Sequence, residues 1–122
     1  MITAVRKRCI VPRIAKKATV PDLIEGMVKR IVKKFHPDKI ILFGSHARGE
    51  AGPDSDIDLL VVMDFKGSAR DQGLKVSLAL HDLLVPVDVI VTSPVDFAWR
   101  KDIVGTIEWP AAQEGKVLYA RS

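Results

Sequence analysis

Apolar positions Leu23, Ile24, Met27, Val28, Ile31, Val32 and Phe35 recur every three or four residues, with Lys29, Arg30, Lys33 and Lys34 largely opposite. That period belongs to an amphipathic helix. Pro21–Asp22 opens it, with Thr19 nearby as a cap, and Pro37 stops it. The pattern then changes. Residues 39–43, 57–63 and 86–92 are short runs rich in β-branched residues, of strand length. A last short strand is expected at 117–119. Gly44 turns the chain into a short helix from Ser45, and Gly49 to Ser55 is a loop broken by Gly52-Pro53. Residues 69–84 predict a second long helix, with Leu74, Leu78, Leu80, Leu83 and Leu84 towards the core. Ser93-Pro94 starts a helix through Trp99, and a further short helix with a kink near Pro110 runs to Gly115. Residues 1–20 mix basic and apolar residues around Pro12 without clear period, an irregular or partly helical arm. The alternation of short strands and helices predicts an α/β domain: a small mixed sheet with flanking helices. Repeats and low-complexity tracts are absent.

Composition narrows the class. A chain of 122 residues with 48% hydrophobic content is sized for one domain with a real core. No apolar run approaches the roughly 20 residues of a membrane span, and the basic N-terminus lacks the apolar stretch of a secretory signal. The lone Cys9 excludes an internal disulfide, which suits a reducing, cytoplasmic setting. His36, His46 and His81 are scattered without zinc-type spacing. Charge is uneven: residues 1–39 hold 11 of the 19 Lys and Arg and three acids. Such a segment could meet RNA, an acidic protein or phosphates. A solvated helix face with a basic tail is the simpler account, and the scarcity of nearby aromatic residues argues against a nucleic-acid stacking platform.

The candidate chemistry lies where strands begin and end. Asp56 and Asp58 precede and enter the second strand, so they point the same way, about 7 Å apart. Like charges at the mouth of a sheet are costly unless a cation sits between them. All-oxygen ligation by carboxylates suits Mg²⁺ or Mn²⁺. Asp88 stands in the middle of the apolar run Val85–Val91, where an unpaired charge is expensive. If its strand lies beside the one bearing Asp58, three carboxylates converge and can hold two metal ions while one accepts a proton. An exposed strand edge or a Lys partner would explain Asp88 more plainly. Gly44 allows close backbone approach of a phosphate, Ser45 starts a helix whose free N–H groups favour an anion, and Arg48 offers a forked set of donors. On their own these three would be a capped turn and a surface charge. Asp54 falls in the loop as a supporting residue behind the other acids or a bystander, His46 could touch a phosphate but is more simply a surface turn residue, and Trp99 and Trp109 are expected in the core or an interface rather than stacked on a base.

Gly44-Ser45, ten intervening residues, Asp56-Ile57-Asp58 and the later strand Asp88, in that order, resemble the nucleotidyltransferase superfamily that includes DNA polymerase β. The nearest likeness is to its smallest members, the minimal nucleotidyltransferases often encoded beside a HEPN-domain protein, and the tail Thr106–Tyr119 resembles how those chains end. The likeness covers roughly residues 21 to 120. It implies a nucleotidyltransferase domain over 21–122, with a small polymerase-palm-like sheet, whereas the basic arm over 1–20 is less typical of that family and leaves room for a different acceptor. It implies Asp56, Asp58 and Asp88 as metal-binding and catalytic residues, Gly44, Ser45 and Arg48 as the nucleotide-binding set, two Mg²⁺ ions and ATP as substrate. In that family the acceptor is a Tyr hydroxyl of a HEPN ribonuclease toxin, the smaller protein acting as antitoxin, with no membrane involved. Two other readings stay open: a subunit that neutralises its partner by contact alone or senses nucleotide, and an enzyme that modifies RNA or a small molecule as a homo-oligomer. The length of the chain leaves the acceptor to be brought by a partner or a second copy.

Overall fold

The computed structural model describes residues 19–52, 55–83 and 85–121. Most of the expected basic arm and Asp54 therefore lie outside the described residues. Helix α1, Val20–Phe35, starts at a reciprocal cap. The Asp22 N–H donates to Thr19 Oγ1 at 3.2 Å, and the Thr19 N–H donates to Asp22 Oδ2 at 3.2 Å. His36 ends it in the left-handed region at φ 52°, and the buried Pro37 prevents any continuation. Ile24, Met27 and Ile31 form its buried stripe.

The remaining elements are β1 (Lys39–Phe43), α2 (Ser45–Arg48), β2 (Ile57–Val62), α3 (Ala69–Ala79), β3 (Val87–Thr92), α4 (Pro94–Arg100), α5 (Glu108–Glu114) and β4 (Lys116–Ala120). The sheet runs in the order β3-β2-β1-β4. Strand β1 is antiparallel to β2 and β4, whereas β2 and β3 are parallel and joined through α3. The architecture is the mixed α/β sheet with flanking helices that the strand and helix pattern predicts. Alternation along the strands divides the core in two. Ile40, Leu42, Ile57, Leu59, Val61, Val89 and Val91 pack with the buried residues of α1 and α3. On the opposite face Ile41, Phe43 and Leu60 pack with Ala111 of α5, supported by Ile90 and Phe97.

Two expectations are corrected. The second long helix ends at Ala79 rather than 84, and the chain leaves it through turns in which Leu80 N–H donates to the Ser77 carbonyl and Leu83 N–H to the Leu80 carbonyl. Leu74 and Leu78, expected inside, are 57% and 67% exposed. Gly73, Val76 and Leu80 face inward instead. The reason is a close approach: a side-chain carbon at residue 73 would sit 3.3 Å from the Val89 carbonyl. The stripe that lets the helix lie nearest the strand wins over the greasier one, because packing density decides burial. Likewise α5 starts at Glu108, so Pro110 falls in its first turn, where the missing N–H has no intrahelical partner to lose. Glu108 is 3% exposed and accepts a 2.7 Å hydrogen bond from the equally buried Thr92 hydroxyl, with Arg100 Nη1 at 3.7 Å. That contact ties the start of α5 to the end of β3. No helix among the described residues is long and apolar enough to cross a membrane.

The helix-face assignment makes a sharp contrast. Leu80→Ala removes a side chain only 2% exposed and should cost about 2–5 kcal/mol in urea denaturation. Leu78→Ala should change stability by no more than about 0.5 kcal/mol.

Candidate active site

The register places the acidic residues. Phe43 of β1 pairs with Asp58 of β2, and Asp58 pairs with Asp88 of β3. Asp58 and Asp88 therefore stand side by side on the face that also carries Phe43, Leu60 and Ile90. The adjacency on which the three-carboxylate reading depended is present. Asp56 lies two residues before Asp58, just outside the strand, and is exposed. Asp88 is exposed too, since β3 is an edge strand. Helix α5 covers the middle of this face but leaves the end bearing the carboxylates clear, with Asp58 half-buried and Asp56 and Asp88 exposed.

Gly44 builds the other wall. Its backbone adopts φ 76°, ψ −156°, a conformation essentially confined to glycine. A Cβ there would overlap the Asp58 carboxylate. The two residues are complementary: the bare backbone of one leaves the space that the carboxylate of the other fills. Ser45 follows as the first residue of α2, half-buried. The N–H groups of Ala47 and Arg48 are turned back onto the Gly44 carbonyl at 3.1 and 3.2 Å.

Electrostatics set the character of the site. Burial raises the Asp58 carboxyl above its ordinary value, and the negative charges of Asp88 and Asp56 push in the same direction; His46 and Arg48 oppose them. Among the described residues, no ion pair or side-chain hydrogen bond engages Asp56, Asp58 or Asp88. Crowded carboxylates without a cationic partner, and with only oxygen donors, are the donor set a hard divalent ion prefers. As the side chains stand, however, no three acidic, imidazole or thiol groups among the described residues enclose a metal position. The Asp58–Asp88 pair is the fixed part of the set and the exposed Asp56 is its outlying member.

Arg48 is not free. Its Nε donates to Glu50 Oε1 at 2.9 Å, and its Nη1 lies 3.6 Å from Glu114 of α5. The hydrogen bond to Glu50 raises its pKa further above the usual range. Neither glutamate was marked from the sequence. Glu50, two residues on, carried a local signal, whereas Glu114 reaches Arg48 only through the packing of α5. His46, placed on a surface turn, is half-buried with Nε2 3.2 Å from the Ser55 carbonyl, and so braces the loop just before Asp56. Trp99, expected in the core or an interface, is half-exposed, with its Nε1 3.3 Å from Asp96 and the Arg100 guanidinium over its ring.

The family model of the nucleotidyltransferase domain matches residues 24–110, which run from within α1 to the start of α5 and include Asp56, Asp58 and Asp88. A relative from Methanocaldococcus jannaschii named as a protein adenylyltransferase is 39% identical over 84 residues, covering 66% of this chain and 77% of its own length. Among solved structures, a protein of Sulfolobus solfataricus described as a nucleotidyltransferase superposes with a TM-score of 0.58 at 22% identity, over 90% of this chain and 83% of that one. A structure of the MntA–HpeT toxin–antitoxin superposes with a TM-score of 0.50 at 21% identity, over 81% and 73%. At these identities the structural likenesses bear on the fold.

Two outcomes test this geometry. Gly44→Ala should destabilise the protein by about 1–3 kcal/mol through backbone strain and displace the Asp58 side chain. For Asp58 the sign follows from its raised pKa. The folded state holds the proton more tightly than the unfolded one, so this contribution is complete below the ordinary value of 3.8 and is lost as pH rises through the raised one. At neutral pH without divalent ions, Asp58→Asn should therefore melt above the parent protein. Added Mg²⁺ should raise the melting temperature of the parent and leave the variant unmoved.

Proposed function

The chain belongs to the nucleotidyltransferase domain family, and from that premise we propose that it transfers AMP from ATP to a hydroxyl of a partner protein. The acceptor in this reading is a Tyr of a HEPN ribonuclease toxin, and Mg²⁺ is the required cation. The observation that carries it is the row Gly44, Asp58, Asp88: a glycine backbone wall, a carboxylate seated against it, and a second carboxylate in register. In the reaction the acceptor oxygen bonds to the α-phosphorus, the bond from that phosphorus to the bridging oxygen breaks, and pyrophosphate leaves. Gly44 gives the triphosphate close access, and Ser45 at the start of α2 supplies a hydroxyl and an N–H to its oxygens. Asp56 and Asp58 would hold the cation, which when bound neutralises phosphate charge and polarises the reacting oxygens. Asp88, exposed beside Asp58, is placed to take the proton from the acceptor hydroxyl. Most of the acceleration is positioning and charge compensation.

The protein acceptor is supported by the relative named as a protein adenylyltransferase and by the resemblance of the Gly-Ser and Asp-x-Asp spacing to the minimal nucleotidyltransferases. The toxin–antitoxin reading is supported by the resemblance in sequence, with the MntA–HpeT likeness adding the fold.

The decisive experiment is label transfer in a lysate of the source cell with Mg²⁺ and ATP labelled at the α-phosphate. One labelled protein band, absent with γ-labelled ATP, is the expected result. Asp58→Asn and Asp88→Asn should each slow labelling by about 100-fold or more. Label on RNA or a small molecule would replace the acceptor in this reading. A chain that still neutralises its toxin as the Asp56→Asn, Asp58→Asn double variant, with no label anywhere, acts by contact alone.

A further inference from the structure

Strand β3 stands at one side of the sheet, and its outer edge pairs with no other strand among the described residues. The Ile57 N–H donates to the Pro86 carbonyl at 2.9 Å and the Met63 N–H to the Thr92 carbonyl at 3.0 Å. Even-numbered residues of β3 therefore turn their backbone groups to β2. Val87, Val89 and Val91 turn theirs outward, a row of donors and acceptors open to a further strand. Helix α3 keeps clear of the middle of this row. Its residue beside the edge is Gly73, and any side chain there would press on the Val89 carbonyl, its Cβ at 3.3 Å. A hollow of about 320 Å³ lies between the two elements, bordered by Arg70, Gly73, Leu74 and Ser77 of α3 and by residues 88–91.

The pleat sorts the side chains of an added strand. The residue opposite Asp88 falls on the carboxylate face, with its Cβ about 5 Å from that of Asp88. Its two neighbours, opposite Val87 and Val89, fall on the other face, beside α3. There Leu74 borders the hollow and Leu78 lies one turn further towards Val87; they are the two apolar side chains that α3 leaves exposed. The residue opposite Val91 meets Arg70, which forms no ion pair among the described residues. We propose that β3 receives an extended segment of the acceptor protein as an additional strand, its hydroxyl residue opposite Asp88. Apolar residues flank that hydroxyl residue, and an acid three positions away faces Arg70. Backbone bonds then supply affinity and the alternate side chains supply selectivity. Asp88 as proton acceptor, taken from the AMP-transfer reading above, fixes which residue of the added strand reacts, so the docking surface rests on that reading. A second copy of the chain fits the edge less well. Paired about Val89, it would set Ile90 against the Asp88 carboxylate and bring Val87, not an acid, to Arg70.

The test uses the full chain and a synthetic peptide containing Val-Tyr-Val-Ser-Glu, together with the peptide of reversed order, because the added strand can run either way. At millimolar peptide, amide hydrogen exchange at Val87, Val89 and Val91 should slow by about tenfold or more. Asp88 and Ile90, already bonded to β2, should not change. Leu74→Lys, at an exposed position, should weaken this protection and slow labelling of the lysate protein by about tenfold. The ATP concentration for half-maximal labelling should stay as it was. Arg70→Glu should act alike, and Lys in place of the peptide's Glu should restore the protection. Valine amides left unprotected by both peptides would overturn the inference, as would full labelling rates in both variants. So would protection that is present without peptide and lost on dilution, which would make the occupant a second copy. Protected valines with no label in the lysate would overturn the AMP-transfer reading instead, because the exchange is read without ATP or Mg²⁺.

Discussion

The contact between the Gly44 backbone and the Asp58 carboxylate organises this end of the molecule. It needs a conformation that only glycine holds comfortably and a carboxylate that fills the space a Cβ would take. From that point the row extends across the sheet by register, Phe43 to Asp58 to Asp88. Because side chains alternate, a slip of one residue in either pairing would send a carboxylate into the apolar core under α1 and α3. The buried positions on that side, Ile57, Leu59 and Val61 at 0% exposure, make such a slip expensive. Hydrophobic pattern on one face therefore fixes polar geometry on the other.

The helices serve this arrangement unequally. Helix α5 is anchored at its start by the buried Glu108–Thr92 hydrogen bond, and its last residue, Glu114, lies beside Arg48 in an exposed pair. It links the far end of β3 to the glycine turn. A buried carboxylate with a donor at 2.7 Å and a guanidinium close by has the partners that burial of charge demands. Helix α3 contributes chiefly through proximity: its glycine brings it onto β3 and so supports the edge strand that carries Asp88.

The strands, the first helix with its cap, and the acidic row were legible because each rests on a local rule: period, capping chemistry, or strand alternation. Thr19 and Asp22 sit three residues apart, so their reciprocal bonds could be anticipated. The inward face of α3 could not, because the leucines at 74 and 78 outscored Gly73 and Val76 on hydrophobicity, and the contact that overruled them is with β3, fourteen or more residues away. One partner of Arg48, Glu114, was hidden for the same reason. Sequence marks the guanidinium as a phosphate ligand, but only the packing of α5 shows a carboxylate from sixty-six residues further along beside it.

Charge balance gives the site its sign. Asp58 and Asp88 stand side by side with Asp56 just beyond the strand, and the guanidinium of the glycine turn is already shared between Glu50 and Glu114. A triphosphate approaching this surface alone would meet net negative charge, and its access to Arg48 would have to displace two carboxylates in exposed, weakly held pairs. Under the proposed function a divalent cation held by these carboxylates would reverse the local sign, relieving the repulsion that adds to burial in raising Asp58. Nucleotide and cation would then be thermodynamically linked: whatever one adds to the affinity of the other is returned in equal measure. Under the proposed function the order matters for Arg48 as well. Its two salt bridges are solvent-exposed and weak, so they hold the side chain near the turn without binding it strongly against transfer to phosphate. Glu50 and Glu114 thus add to the negative charge around the turn while keeping Arg48 at hand for the nucleotide.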